Sequence, residues 1–202
     1  MTQIMTYPDG ATPLDPDEMQ ALLQKHITTR EQLNEVEQAN IEAGLAWLNR
    51  QKHPDVLSEE FLCALHRRLF GEVWKWAGTF RRTEKNIGVD PLQIALQLRT
   101  LLDDARYWLA NGTYGPSEAA IRFHHKLVFI HLFPNGNGRH GRIAADALLE
   151  KIFGAEPIDW SGGHDLQAMN PRRTDYIAAL RAADGHNFGP LIAFIGTRKD
   201  FD

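Results

Sequence analysis

The sequence predicts an all-α fold: a mostly helical single domain carrying one small β-hairpin. Apolar residues recur at helical spacing through most of the 202 residues. Prolines or Ser/Thr capping residues stand at the starts of several of these stretches, and Gly154 stands at the end of one. Residues 79–89 lack that period and set Thr79, Phe80, Ile87 and Val89 around a polar turn, which suits a short hairpin.

Taken in order, residues 1–16 carry Pro8, Gly10, Pro13 and Pro16 and read as an irregular arm. Thr28 or Thr29 caps a helix to about Arg50, with Leu33, Val36, Ile41, Leu45 and Leu48 along one side. A second helix runs from Ser58 to Phe70 with Phe61, Leu62, Leu65 and Leu69 inward. After the hairpin, Pro91 to Ala110 predicts a helix with Leu92, Ala95, Leu98, Leu102 and Tyr107 or Leu109 inward. Pro116 starts the next, which leads to Phe123, Leu127 and Ile130. A helix from about Asn137 to Phe153 contributes Ile143, Ala147, Leu148 and Ile152 and stops at Gly154. Pro171 begins another, with Tyr176, Ile177 and Leu180, and a last helix spans about Pro190 to Thr197. Residues 1–55 form an N-terminal arm and helix of regulatory character, and 56–202 the main unit, within one compact whole.

Composition excludes several classes. A net charge of −4 gives no general attraction to nucleic acid or anionic lipid. The one cysteine, Cys63, cannot form an internal disulfide and reads as a buried structural thiol. The N-terminus lacks a basic segment followed by an apolar one, so no secretory signal is visible. The apolar run Leu127 to Phe133 is interrupted by His131 and is far too short to span a bilayer. A reducing cytoplasm, with no direct nucleic-acid or membrane partner, follows as the expectation. His124 and His131 would lie two helical turns apart on one face, too far for a compact zinc chelate.

The chemistry concentrates in residues 131–142, His-Leu-Phe-Pro-Asn-Gly-Asn-Gly-Arg-His-Gly-Arg. Gly136 and Gly138 let the backbone turn tightly and bring its N–H groups close to a ligand. The helix that follows presents its unsatisfied N-terminal N–H groups to that turn, where an anion is favoured. Arg139 and Arg142 add forked donors suited to phosphate oxygens. His131, with an ordinary pKa near neutrality, is a candidate base for a hydroxyl nucleophile. Phe133 reads as an anchor of the loop to the core. The local reading is a phosphate cradle beside a histidine.

The stretch resembles the signature of the Fic/Doc family, His-x-Phe-x-(Asp/Glu)-Gly-Asn-Gly-Arg-x-x-Arg. His131, Phe133, Gly136, Asn137, Gly138, Arg139 and Arg142 match it, and Asn135 departs from it. The likeness extends more loosely over residues 56–197, and within the family it is nearest to a bacterial group called mobile mystery protein B. It implies a Fic-like helical bundle with a β-hairpin flap, acting as a protein adenylyltransferase that moves AMP from ATP to a Ser, Thr or Tyr hydroxyl of a target protein.

By the same resemblance, His131 is the general base, and His131, Asn137, Arg139 and Arg142 form the catalytic set. Phe133, Asn135, Gly136 and Gly138 join Asn137, Arg139 and Arg142 in nucleotide binding. The acidic residue of the signature binds Mg²⁺; Asn135 offers a neutral oxygen in its place, so weaker metal dependence is expected. Phe80, Arg81, Arg82, Ile87, Gly88 and Val89 correspond to the flap that receives the target by strand addition. Arg81, Arg82 and Lys85 there suit acidic partners or a charge-protected edge. Family members also carry an inhibitory glutamate that pairs with the second motif arginine. The pattern is not matched cleanly, and Glu37, then Glu35, are the candidates, with Arg142 as the expected partner. Two alternatives stay open: a Fic-like phosphotransferase or other nucleotidyl transferase, and a catalytically silent nucleotide-binding module with an antitoxin-like regulator.

Overall fold

The computed structural model describes residues 12–196. The irregular arm expected over residues 1–16 lies for residues 1–11 outside the described residues, as does Thr197, expected in the closing helix. Eight α-helices are described: α1 Pro16–Gln20, α2 Arg30–Arg50, α3 Glu59–Phe70, α4 Ile94–Asn111, α5 Pro116–Ile130, α6 Asn137–Leu148, α7 Pro171–Asp184 and α8 Gly189–Ile195. The described residues contain no strand, and the one isolated bridge joins Leu22 to Trp74. No helix of the described residues is long and apolar enough to cross a membrane.

Local chemistry sets the helix starts. The Thr29 hydroxyl accepts from the Gln32 amide while the Gln32 side chain accepts from the Thr29 N–H, a reciprocal cap on α2. Ser58 caps α3 through the Phe61 amide, and Asn170 caps α7 through the Arg173 amide. Asn40 on α2 secures the far end of α3: its Nδ2 donates to the Arg68 carbonyl and its Oδ1 accepts from the Glu72 amide, both at about 3 Å. Those are groups a helix end leaves without partners.

The expected inner faces of α2, α3, α5 and α7 are inside. Val36, Leu45 and Ile177 are partly buried, and Phe61, Leu62, Leu65, Leu69, Phe123, Leu127 and Ile130 fully so. Each such side chain contributes roughly 1.5–3 kcal/mol by leaving water. In α4 the inward set is instead Ile94, Leu98, Leu101, Leu102 and Ala105. Leu92 is 88% exposed and Ala95 is also exposed, contrary to expectation; of the alternatives Tyr107 and Leu109, Leu109 packs inward and Tyr107 is 62% exposed. Asp90 caps a 3₁₀ turn at Pro91–Gln93 that precedes the helix, so the helical phase begins at Ile94. Ile152 is likewise exposed, because α6 opens into a π-turn at Leu149–Phe153 that rotates it outward before Gly154 ends the turn.

Two hydrophobic clusters result. One packs α2, α3, α4, α5 and part of α6 around Leu62, Leu65, Phe70, Trp74 and Phe133. The other packs α7 and α8 on the opposite side of α5 and α6, around Ile121, Ala145, Trp160, Tyr176 and Leu191. The α5–α6 pair therefore lies between both cores. Cys63 is partly buried, and burial first, then Glu59, raises its thiol pKa to about 11.

His66, His124 and His140 are buried as neutral rings, as is His131 at the site. His66 accepts from the Gly78 amide at Nδ1, which leaves its Nε2–H to donate to the Asn135 carbonyl at 3.1 Å. Its ring stacks on Phe133 with centroids 3.7 Å apart. His140 donates to the Leu62 carbonyl, and His124 bonds the Tyr176 hydroxyl at 2.9 Å. Burial pulls His124 down to about 3 and His140 to about 4, and holds His66 well below 6.5, with His140 as its second cause.

Rings with depressed folded pKa values must take up protons on unfolding, so stability is lost as pH falls below about 6.5. His124 and His140 each cost about 2 kcal/mol at pH 5 relative to pH 7, and His66 acts in the same direction. Asp146, pushed up to about 6 by burial, works the other way by about 1 kcal/mol. Chemical denaturation at pH 7 and pH 5 should therefore show a loss of several kcal/mol at the lower pH. Equal stabilities would contradict the neutral buried rings.

Candidate active site

The site is built at the reversal between α5 and α6. The last turn of α5 closes with the His131 amide on the Leu127 carbonyl, and His131 itself takes the left-handed conformation, φ 59°. A non-glycine residue there costs roughly 1–2 kcal/mol, so the surroundings must impose it. Arg81 does so: its Nε donates to the His131 carbonyl at 2.6 Å and its amide to the Leu132 carbonyl at 2.9 Å. The same guanidinium donates to the carbonyls of Thr83, Val89 and Ile130. A buried arginine thus ties residues 80–89 to the end of α5.

This arrangement replaces the expected hairpin. Residues 80–89 form no ladder with each other, and the Arg81 guanidinium supplies the cross-links that strand pairing would have supplied. Arg81 is 3% exposed, and Lys85 is engaged by Asp15 and Glu18 at 2.9 and 2.5 Å, so neither attracts acidic partners as expected. Arg82 is exposed. Phe80 packs near Phe133, Val89 donates its amide to Ile130, and Ile87 and Gly88 line the cavity described below. At Gly88, φ 105°, a Cβ would lie 2.6 Å from the His131 Cβ. Glycine is what lets the segment cross so close over the histidine.

The loop after His131 is closed by Asn137. Its Oδ1 accepts from the Phe133 amide at 2.9 Å and its Nδ2 donates to the Phe133 carbonyl at 2.7 Å. Asn137 thus shapes the loop, and it also borders the cavity described below, where the resemblance had it contacting the nucleotide. Phe133 is fully buried and does not line the cavity, which fits an anchor and not a nucleotide contact. Gly136 has φ 78°, and a Cβ there would sit 2.8 Å from the Phe70 ring. Gly138 meets nothing tighter than an Arg142 nitrogen 3.7 Å away, so its missing side chain keeps space open toward the cavity. No side chain caps α6, whose N-cap is Gly136. The first-turn N–H groups are therefore left for an anion.

A cavity of about 330 Å³ lies against that helix end. His131, Asn135, Gly136, Asn137, Gly138, Arg139 and Arg142 all border it, so the structure brings the polar motif residues together. The His131 ring is 4% exposed, and its Nε2 lies 3.1 Å from the Thr12 hydroxyl. Burial first, then Arg81, lowers its pKa to about 3, well below the near-neutral value expected. Nδ1 makes no hydrogen bond of ordinary geometry, while the Val128 carbonyl contributes a weaker attraction for the ring's proton. A neutral ring protonated at Nδ1 leaves Nε2 free to accept.

The arginines are held differently from each other. Arg139 donates to Glu37 Oε2 at 2.7 Å and lies over the Phe70 ring, and the other oxygen of Glu37 accepts from Trp74 Nε1 at 2.7 Å. Glu37 is buried, and its partner is Arg139, not the expected Arg142. Glu35 is exposed and takes no part. Arg142 instead donates to the Tyr176 hydroxyl at 3.3 Å.

Mg²⁺ finds little here. Asn135 Oδ1 already accepts from the Gly136 amide, its Nδ2 donates to the Thr12 carbonyl, and Asp184 at the cavity edge bonds His125. Among the described residues no three His, Cys, Asp or Glu side chains gather as a metal site. One neutral oxygen does not fit a hard dication held by protein alone.

Sequence reading missed Thr12 and the wall from α5 and α7: Phe129, Tyr176, Ile177, Leu180 and Arg181. Tyr176, Ile177 and Leu180 were read as core, because one periodic stripe serves both the second cluster and the cavity.

Residues 56–149 match the model of the Fic/DOC family. The chain is 27% identical over 171 residues to "Protein adenylyltransferase fic-1" of Caenorhabditis elegans, covering 79% of this chain and 31% of that protein. It is 30% identical over 144 residues to "Protein adenylyltransferase Fic" of Drosophila grimshawi, covering 68% and 28%. The chain thus spans under a third of the length of these curated relatives. Among solved structures, Fic-1 (residues 134–508) of C. elegans superposes with a TM-score of 0.61 at 25% identity, over 90% of this chain and 54% of that one. The N-terminal FIC domain of Bep8 from Bartonella sp. 1-1C reaches 0.68 at 17% identity over 89% of both chains, a likeness of fold. The helical reversal, its glycine turn and these matches place the chain in the Fic/DOC family.

Proposed function

We propose that this protein transfers AMP from ATP to a hydroxyl side chain of a protein. The observation that carries the reading is that His131, whose Nε2 meets a hydroxyl at 3.1 Å, borders the same cavity as the uncapped N-terminus of α6. The relatives named as protein adenylyltransferases support the same choice.

In this reading the nucleotide's phosphates lie on the first-turn N–H groups of α6, where backbone and helix dipole favour negative charge without reorganisation. His131 accepts the proton of the incoming hydroxyl at Nε2. The hydroxyl oxygen bonds to the α-phosphorus, the bond from that phosphorus to the β-phosphate bridge breaks, and pyrophosphate leaves. Arg142, tied lightly to Tyr176 at the cavity, neutralises the leaving phosphates. Any Mg²⁺ arrives on the nucleotide's own oxygens. The apolar wall from Phe129, Ile177 and Leu180 gives the base a surface on which to lie.

Glu37 is the internal restraint. A carboxylate 2.7 Å from Arg139 withholds that guanidinium from a polyphosphate, so the N-terminal helix α2 regulates the unit that follows it. An inhibitor built into the chain makes a separate antitoxin-like protein unnecessary.

Incubation with ATP labelled at the α or the γ position tests the reaction: label should pass to protein from the α position alone. His131→Ala should slow transfer by about 10²–10⁴. Label passing solely from the γ position would establish a phosphotransferase instead. Glu37→Gly should raise the rate by about tenfold or more, equivalent to about 1.4 kcal/mol of released restraint, and an unchanged rate would remove Glu37 as the restraint. Asn137→Ala, which orphans the Phe133 backbone groups, should cost about 1–3 kcal/mol of stability together with nucleotide affinity. Wild-type affinity in that variant would contradict the loop-closing role.

A further inference from the structure

The arm that precedes α1 enters the site itself. Thr12 is 7% exposed and borders the cavity, with its Oγ1 3.1 Å from His131 Nε2. Its carbonyl accepts from Asn135 Nδ2 at 2.9 Å, so the residue is held at two points, one on each side of its Cα. Downstream, Lys85 bonds the Pro13 carbonyl and the carboxylates of Asp15 and Glu18, and Thr83 donates to Asp15 at 2.8 Å. The arm is thus clamped across residues 80–89, and a hydroxyl of this chain occupies the position from which an acceptor would give its proton to His131. Asn135 bears on this directly. A carboxylate there would face the Thr12 carbonyl with oxygen against oxygen, whereas the amide supplies a donor.

We infer that Thr12 is an acceptor built into the chain: the protein adenylylates its own arm at this hydroxyl. The inference rests on the adenylyl-transfer reading and adds its first substrate. The Thr12 proton passes to His131 Nε2, Oγ1 bonds to the α-phosphorus of ATP, the α–β phosphoanhydride bond breaks, and pyrophosphate departs. The product is a phosphodiester between AMP and Thr12. AMP at that oxygen fills the place beside His131, so a modified chain cannot present the same histidine to another protein until the arm swings away.

The test uses the full chain as Glu37→Gly, incubated with α-labelled ATP and Mg²⁺, with the modified residue located by peptide mass spectrometry. AMP should be found on Thr12, at a first-order rate that does not change with protein concentration. Thr12→Ala in the same background should lose that label and Thr12→Ser should keep it. A chain carrying His131→Ala, mixed with active Thr12→Ala chain, should stay unlabelled at Thr12, because the reaction is intramolecular. AMP on other residues with none on Thr12 would overturn the inference while leaving the transferase reading standing. No label on any residue, from a chain that binds ATP, would also overturn the inference, and the transferase reading would fall with it only if proteins of an added cell lysate stayed unlabelled as well. Mapping on the unaltered Thr12 does not depend on how well the Thr12 variants fold.

Discussion

The site depends on one side chain closing a loop on itself. Between the end of α5 at Ile130 and the start of α6 at Asn137 the chain has six residues to reverse direction and leave a helix end facing space. The Asn137 amide, bonded twice to the Phe133 backbone, fixes that reversal from inside. Phe133 can then stack on His66, His66 can hold the Asn135 carbonyl, and Gly136 can turn against Phe70 with no side chain in the way. These contacts are buried and mutually exclusive with other arrangements, so the cradle is preformed. Preformed donors are worth more to a polyphosphate than donors that must first be organised.

Charge follows the same economy. The protein is slightly acidic, with a formal charge of −4, and its site arginines are largely occupied within the chain. Arg81 is spent on backbone carbonyls and Arg139 on Glu37. The His131 ring, buried with Arg81 nearby, stays uncharged down to acid pH. A neutral ring is the form that can accept a proton, but with a conjugate acid this strong it accepts weakly. Movement of the arm that now covers it would hydrate the ring and raise its basicity, by relieving the burial that is the largest cause of the shift.

Much of the fold was legible because its signals are local. Thr29, Ser58, Pro116 and Pro171 mark helix starts through caps or fixed φ, and the apolar stripes of α2, α3 and α5 point inward as their spacing requires. The errors share a cause as well. The 3₁₀ turn left Leu92 outside α4, and past α6 a π-turn shifted the phase, since neither changes composition. Residues 80–89 carry the alternation of a hairpin, yet Arg81 bridges them, and a buried arginine looks like a surface one in sequence. The motif located the cavity, but spacing did not distinguish the residues that border it from Phe133, which faces the core. Glu37 was singled out, while its pairing with Arg139 depended on how α2 leans on α3. Thr12 gave no signal at all, since it lies more than one hundred residues from its partner.

A structure of the Glu37→Gly chain bound to a non-hydrolysable ATP analogue tests the central claim most directly. The phosphates should lie on the amide groups of Gly138 and Arg139, with the α-phosphorus next to His131 Nε2 and the Asn137–Phe133 bonds intact. Phosphates bound elsewhere, with the imidazole still packed away from them, would contradict it.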